Sequence, residues 1–118
     1  MNLVELAYFT DNVNEMTEFY SGLLGTEPVA ASDDMAIFMT GETKIFIHRN
    51  YAPSEGDMPP NNHIAFAVED VDAACKSLTQ QGLTIETPPK DYYWGRSAYL
   101  RDPDGNQVEI TNSEPGKS

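Results

Sequence analysis

Cysteine, basic residues and long apolar runs are all scarce in this chain of 118 residues. The single cysteine, Cys75, excludes an internal disulfide framework and a cysteine-rich zinc module, and it suits a reducing cytosol. No apolar run approaches the roughly 20 residues of a membrane-spanning helix. The N-terminus shows neither the basic start nor the cleavage site of a secretory signal. We therefore expect a cytoplasmic, single-domain globular protein.

The shortage of positive charge narrows the function further. Seven Lys and Arg residues stand against nineteen Asp and Glu residues, which gives a formal net charge of −12. A nucleic-acid binder needs a basic surface to hold phosphates, so this class is excluded, and an anionic membrane surface is disfavoured. The acidity fits solubility or a saline habitat, and it equally fits a preference for cationic ligands or metal ions. Charge alone does not separate these explanations.

What the sequence does contain is an internal repeat. Residues 5–13 (ELAYFTDNV) align without a gap with residues 63–71 (HIAFAVEDV), at an offset of 58 residues. Each copy predicts a strand that leads into a helix, with Asn12 or Asp70 capping the helix and Gly25 or Gly82 ending it. The apolar stripes of these helices are predicted at Val13, Met16, Phe19, Tyr20, Leu23 and Leu24, and at Val71, Ala74, Cys75 and Leu78.

Three further strands are predicted after each helix. They lie at 27–31, 35–40 and 44–49 in the first half, and at 84–86, 97–101 and 107–111 in the second. The sequence therefore predicts an α+β fold: two βαβββ modules forming a cup-shaped mixed sheet with the helices outside. The first module is placed at 1–52 and the second at 60–112 of one structural domain. A linker is expected over 50–62 and a disordered tail over 113–118.

The sequence resembles the vicinal-oxygen-chelate superfamily, which includes glyoxalase I, extradiol dioxygenases and bleomycin-binding proteins. The resemblance covers residues 3 to 112. It is carried by the opening strand into Asn12, by the strand from His63 into Asp70, and by two segments near the end of the chain. These two segments are Trp94-Gly95-Arg96 and Asp102-Pro103-Asp104-Gly105-Asn106-Gln107-Val108-Glu109.

The resemblance implies metal ligands that project into the cup from the first and last strands of each module. Here these positions carry Glu5, His63 and Glu109, whereas the fourth is occupied by Phe46, which cannot bind a metal. Two carboxylates and one imidazole suit one divalent ion of Mn, Fe, Ni, Co or Zn. Two like charges in a partly dry cup need an offsetting cation or proton. The alternative is that Glu5 is a solvated edge residue and His63 a hydrogen-bonded core histidine.

Other candidate site residues are assigned from strand parity. Tyr99 should lie opposite Glu109 in a hairpin, where it either donates a hydrogen bond to a metal-bound oxygen, as the resemblance implies, or simply packs. His48 should point into the cup as a base or substrate donor, or else be merely exposed. Phe9 and Phe46 should line the pocket. Trp94, in the Tyr92-Tyr93-Trp94 cluster, is either a ligand-stacking lid or a dimer contact.

Two principal functions follow from the resemblance. The first is a metal-dependent enzyme, a lyase or isomerase or a dioxygenase, that chelates two adjacent oxygens of a small substrate, with Glu5 or Glu109 as the proton-transfer base. The second is a metal-free resistance protein that sequesters a cationic antibiotic of the bleomycin type. An inactive member that binds a partner protein is a third possibility. A homodimer is expected, and the substrate is not specified by any residue pattern.

Overall fold

The chain folds as two consecutive modules with the same order of elements. The computed structural model describes residues 1–52 and 61–113. The first module comprises β1 (Asn2–Thr10), α1 (Val13–Leu24), β2 (Ala30–Ala31), β3 (Met35–Thr40) and β4 (Thr43–Arg49). The second module comprises β5 (His63–Ala67), α2 (Val71–Gln80), β6 (Ile85–Tyr92), β7 (Gly95–Arg101) and β8 (Gln107–Thr111).

All eight strands join one open sheet in the order β2-β3-β4-β1-β5-β8-β7-β6. β1 is parallel to β4, and β5 is parallel to β8. The remaining pairs are antiparallel, including the β1–β5 pair that joins the two modules at the centre. The predicted α+β fold with a mixed sheet is therefore confirmed.

Both helices pack on the same face of the sheet, which we call the outer face. One core cluster there contains Val13, Ala36, Phe38, Ile45 and Ile47, and the other contains Val71, Cys75, Ala98, Leu100 and Ile110. Because side chains alternate along a strand, the neighbouring positions project from the opposite face, which we call the inner face. The helices leave the inner face free for a binding site.

The two helices differ from their predictions in detail. Asp70 caps α2 by accepting a hydrogen bond from Ala73 N at 3.0 Å, as expected, but the side chain of Asn12 makes no capping bond at α1. Phe19 and Leu23 were predicted in the apolar stripe and are instead 61% and 66% exposed. They lie four residues apart on a neighbouring row of α1 that faces solvent, whereas Val13, Met16, Tyr20 and Leu24 face the sheet.

Two edge strands also differ from their predicted bounds. β2 is limited to Ala30–Ala31, with one further bond from the Val29 N–H to the carbonyl oxygen of Ile37 at 2.8 Å. Pro28, which precedes Val29, has no N–H to extend the pairing. β6 continues to Tyr92 through two prolines, with register shifts on either side of Thr87. An edge strand tolerates proline because one of its sides has no partner strand. Residues 53–60 of the predicted linker and 114–118 of the predicted tail lie outside the described residues.

Among the described residues, no helix has both the length and the apolar character needed to cross a membrane.

Candidate functional site

Three central strands bring Glu5, His63 and Glu109 together on the inner face. Nε2 of His63 lies 3.3 Å from Oε1 of Glu5 and 3.0 Å from Oε1 of Glu109. One ligand atom from each residue lies within 4.8 Å of the other two. His63 and Glu109 are buried, and the side chain of Glu5 is 13% exposed. The three predicted ligands therefore converge, although they are far apart in the sequence.

The imidazole of His63 is held at both nitrogens. Its Nδ1 lies 2.7 Å from the carbonyl oxygen of Asn61, to which it donates, so that Nε2 points at the two carboxylates. Burial alone would lower the pKa of His63. The hydrogen bonds with Glu109 and Glu5 and the negative charge of Glu109 outweigh burial and raise this pKa to about 10. In the absence of a metal, an imidazolium therefore bridges the carboxylates at neutral pH.

A second cation, Lys44, was not predicted. Its Nζ lies 2.8 Å from Oε2 of Glu5 and 5.4 Å from the centre of the Phe46 ring, and its side chain is only 5% exposed. Burial by itself would raise the pKa of Glu5, but His63 and Lys44 together hold it below the usual value. The charge of Glu5 is thus offset on both of its oxygens.

The second oxygen of Glu109 is held by a hydroxyl, whereas the second oxygen of Glu5 is held by a cation. Oγ of Ser97 donates to Oε2 of Glu109 at 2.7 Å, and Nε1 of Trp94 donates to the same Oγ at 3.0 Å. Ser97 is fully buried. Each glutamate therefore has one oxygen fixed by a protein donor and the other oxygen directed at His63.

This donor set fits a divalent ion. Two carboxylates and one imidazole are ligands that Mn, Fe, Ni, Co and Zn accept. The separations of Nε2 from Oε1 of Glu109 and from Oε1 of Glu5, 3.0 and 3.3 Å, match the roughly 3 Å expected between adjacent ligands that each lie about 2.1 Å from a shared ion. All three ligand atoms lie within 4.8 Å of one another. Binding requires that His63 release its Nε2 proton. Phe46 provides no fourth ligand.

The strand register explains why Phe46 occupies that fourth position. Ala7 pairs with Phe46 across β1 and β4, and Ala65 pairs with Glu109 across β5 and β8. Ala7 and Ala65 are themselves related by the 58-residue repeat. Phe46 is therefore the first module's equivalent of Glu109, as the sequence alignment predicted.

Aromatic rings line the inner face beside the trio. Phe9 contacts Phe46 and His48, with ring centroids 6.5 and 5.8 Å away, and it lies along the His63 ring at 6.3 Å. Tyr51 contacts both Phe9 and His48. Phe46 is buried, whereas Phe9, His48 and Tyr51 are half-buried and present ring surface to the site. The three sequence-predicted residues of this group therefore share one wall, and Tyr51 extends it.

Tyr99 pairs with Glu109 across β7 and β8, as the hairpin predicted. It is fully buried, and its ring meets that of His63 edge to face at 6.0 Å. Within the described part of the chain its hydroxyl has no hydrogen-bond partner. Burial and the nearby charge of Glu109 raise the pKa of Tyr99, so the hydroxyl stays protonated. It is a donor available to a ligand.

A close backbone approach fixes the aromatic turn between β6 and β7. Trp94 stacks on Tyr92 with 4.4 Å between ring centroids and an interplanar angle of 7°. The next residue, Gly95, has φ +139°, and a Cβ there would lie 2.5 Å from Oδ1 of Asn112. This amide oxygen also accepts from the Arg96 N–H at 2.8 Å. Trp94 therefore sits on a turn anchored to the end of β8.

The fold and its duplicated modules agree with a comparison across protein families. The model of the Glyoxalase/Bleomycin resistance protein/Dioxygenase superfamily matches residues 2–110 of this chain. The chain belongs to this superfamily. The resemblance in the sequence is thereby confirmed, and it extends over nearly the whole chain.

Two curated relatives differ in how much of their length they share with this chain. The uncharacterized protein YraH of Bacillus subtilis (strain 168) is 30% identical in an alignment that covers 93% of this chain and 97% of YraH. The anthracycline biosynthesis protein DnrV of Streptomyces peucetius is 27% identical over 112 residues. That match covers 91% of this chain but only 40% of DnrV.

Among solved structures, the Streptomyces coelicolor methylmalonyl-CoA epimerase has the same fold. A variant of this epimerase, solved in complex with 2-nitronate-propionyl-CoA, superimposes with a TM-score of 0.70 at 18% identity. The match covers 100% of this chain and 98% of the epimerase chain. At this identity the likeness concerns the fold alone.

Two residues of the sequence motifs near the end of this chain, Arg96 and Asp102, make structural contacts. Arg96 binds Asp72 of α2 through two hydrogen bonds, at 2.7 and 3.0 Å, and also reaches Asp91. Asp102 accepts hydrogen bonds from Asp104 and Asn106 and so closes the turn before β8. These residues hold α2, β7 and β8 in place, whereas the chemistry lies on the inner face.

Lys44, Tyr51 and Ser97 are the site residues that sequence reasoning missed. Lys44 shares strand parity with Phe46 and His48, and Ser97 shares it with Tyr99. The same alternation that placed Phe46, His48 and Tyr99 on the inner face therefore places Lys44 and Ser97 there.

Proposed function

We propose that this protein is a metal-dependent enzyme that binds a small oxygenated molecule on its inner face, with Glu5, His63 and Glu109 as metal ligands. The convergence of these three donor atoms within 4.8 Å carries the proposal. A divalent ion held there would act as a Lewis acid on two adjacent substrate oxygens. Among its candidate ions are Mn, Fe, Ni, Co and Zn.

The chain's own groups divide the remaining work. Glu5 and Glu109 are the candidate proton acceptors, because each keeps one carboxylate oxygen directed into the site. The Tyr99 hydroxyl would donate a hydrogen bond to a substrate oxygen, since it lacks a partner among the described residues. Phe9, Phe46 and His48 would contact the body of the substrate, and Trp94 would line its entrance.

The charge of the surroundings selects against strongly anionic substrates. Among the described basic residues, Lys44, Arg49, Arg96 and Arg101 each form an ion pair with a carboxylate, and Nζ of Lys90 lies 5.1 Å from the centre of the Tyr92 ring. A phosphate or a multiply charged thiol adduct needs basic side chains that hold its anionic groups. We therefore expect a substrate that is neutral or carries little negative charge.

The test is the metal content of purified protein and of three single variants, Glu5→Gln, His63→Gln and Glu109→Gln. About one ion per wild-type chain, lost in all three variants, supports the proposal. The exposed Glu18 on α1 offers a matched control, because Glu18→Gln removes an equal charge far from the site. Stoichiometric metal that persists in the three variants contradicts it. Once the metal site is established, activity assays on a panel of thiol adducts, catechols and epoxides would identify the substrate.

The internal cations give specific support to a second candidate, a metal-free binding protein for a cationic antibiotic. Lys44 and the protonated His63 already offset Glu5 and Glu109, so the site satisfies its charges without a metal. The variant Lys44→Met separates the two functions, since it removes one positive charge beside Glu5. If the protein is the metal-dependent enzyme, Lys44→Met should bind Zn²⁺ about tenfold more tightly than the wild type, because the variant lacks a positive charge that repels the ion.

For the metal-free binder, neither the wild type nor Lys44→Met retains Zn²⁺. Bleomycin then raises the melting temperature of the wild type by ligand linkage. Homodimer formation and a cytoplasmic location stay predictions, and the oligomeric state is measured by light scattering on the same samples.

A further inference from the structure

A short chain of hydrogen bonds connects the aromatic turn to the candidate metal ligand Glu109. It runs from Nε1 of Trp94 to Oγ of Ser97, at 3.0 Å, and from there to Oε2 of Glu109, at 2.7 Å. Trp94 is the single tryptophan of the chain and lies on the turn between β6 and β7. The connection therefore joins a half-buried surface residue to a buried carboxylate.

The direction of these hydrogen bonds is fixed by chemistry. The indole N–H only donates, and the ionised carboxylate only accepts. The Ser97 hydroxyl has one proton, and it also lies 2.8 Å from Oγ1 of Thr111. The ionised carboxylate is the stronger acceptor, so Ser97 gives this proton to Glu109. The contact with Thr111 is then made with the threonine's own proton, for which the carbonyl oxygen of Arg96, at 3.4 Å, is a weaker acceptor. Every polar atom of the group then has a compatible role.

Ser97 is closed off from solvent. Its relative exposure is 0%, and Glu109 and Thr111 beside it are each 3% exposed. The turn that carries Trp94 is itself fixed, because Gly95 approaches Asn112 too closely for any side chain. The geometry is therefore held from both ends.

We propose that Ser97 is a positioning residue that fixes Glu109 for ligation through its other oxygen, and that Trp94 senses the state of that ligand through Ser97. This inference rests on the proposed function, because it assumes that Glu109 binds a metal. Hydrogen bonds to a metal ligand from residues that do not themselves touch the metal orient that ligand. Removing one typically weakens metal binding by about 10–100-fold. Neutralising Glu109 by a bound ion weakens its pull on the Ser97 proton, and that change reaches the indole N–H.

The experiment titrates Zn²⁺ into metal-free protein, measuring affinity with a competing indicator and Trp94 emission in the same samples. In the wild type, Zn²⁺ binding changes the emission. In Ser97→Ala, affinity falls about tenfold or more and the emission response is lost. The variant Trp94→Phe keeps an aromatic ring but removes the N–H, so it lowers affinity in the same direction by a smaller factor. It also decides the question if Ser97→Ala does not fold.

The exposed Ser77 of α2 provides the matched control, since Ser77→Ala should bind Zn²⁺ and change emission as the wild type does. The inference is overturned if the Zn²⁺ affinities of Ser97→Ala and Trp94→Phe lie within about twofold of the wild-type affinity. It is also overturned if Zn²⁺ binding leaves the Trp94 emission of the wild type unchanged. If wild-type protein binds no Zn²⁺, or Glu109→Gln binds it equally well, the proposed function itself fails and this inference fails with it.

Discussion

The two modules share one backbone plan but use their inner faces differently. In the first module the inner positions of β3 and β4 are mainly apolar, with Met35, Ile37 and Phe46. The equivalent positions of the second module carry Ser97, Tyr99 and Glu109, as the matching strand registers show. Duplication therefore supplies a symmetric frame, whereas substitution has concentrated the polar chemistry in one half.

Only β1 and β4 of the first module contribute charge to the centre. Glu5 is the repeat equivalent of His63, and Lys44, which pairs with Glu5, is the equivalent of Gln107. The two carboxylates are consequently held by different partners, a cation in the first module and a hydroxyl in the second. The comparison teaches that the site is built across the modules and is not repeated in each.

The largest expected effect comes from making the first module resemble the second. Phe46→Glu places a carboxylate at the position equivalent to Glu109, where the side chain is only 4% exposed. Losing a buried ring and burying a charge should lower the free energy of unfolding of metal-free protein by about 3 kcal/mol or more. A fourth ligand should at the same time tighten Zn²⁺ binding. Urea unfolding with and without Zn²⁺ measures both.

Phe46→Leu is the control for that substitution, because it removes the ring without adding a ligand. It should be less destabilising than Phe46→Glu, and Zn²⁺ should bind it as it binds the wild type. If Phe46→Glu binds Zn²⁺ no more tightly than Phe46→Leu does, residue 46 is not a functional equivalent of Glu109.

A smaller effect concerns how the two halves respond to pH. The pKa of His63 is about 10 in the folded, metal-free protein and about 6.5 in the unfolded chain. Its stabilisation is therefore complete below about pH 6.5 and is lost as the pH rises towards 10, by up to about 1.4 kcal/mol per pH unit. The pKa of Glu5 is instead lowered in the folded protein, so the stabilisation that Glu5 contributes is lost as the pH falls.

Urea unfolding of metal-free protein at a series of pH values measures this effect. His63→Gln should flatten the alkaline decline, whereas His48→Gln should leave it unchanged. A wild-type protein whose stability is constant between about pH 7 and pH 10 would contradict the imidazolium bridge.

Sequence reasoning reached the fold because the repeat fixes both the order of elements and the equivalence of positions. It also named Glu5, His63 and Glu109, because the resemblance to the superfamily implies metal ligands on the first and last strands of each module. It did not find the partners of the two glutamates. A lysine in a strand is usually solvent-exposed, and its burial here depends on a cross-strand contact with Glu5 that only the sheet register reveals.

The difference between the hydrogen bonds at the start of the two helices was also not predictable from the sequence. Asn12 and Asp70 occupy equivalent places in the repeat, and both residue types favour helix N-termini. Nevertheless, Asp70 accepts the Ala73 N–H, whereas Asn12 makes no capping bond and its own N–H donates to Oγ1 of Thr10. The second module has a hydrophobic residue, Val68, where the first has Thr10. Two positions that look alike in the sequence thus differ in the hydrogen bonds that their side chains make.

This difference gives the smallest of the expected effects and tests the module comparison at its outer edge. Asp70→Ala should lower the free energy of unfolding by about 1 kcal/mol, because the first turn of α2 loses an acceptor. Asn12→Ala should change it by no more than a few tenths of a kcal/mol, since no such bond exists at α1. Thermal unfolding of the two variants beside the wild type makes the comparison. Equal losses would mean that Asn12 caps α1 in solution, and the two modules would then begin their helices in the same way.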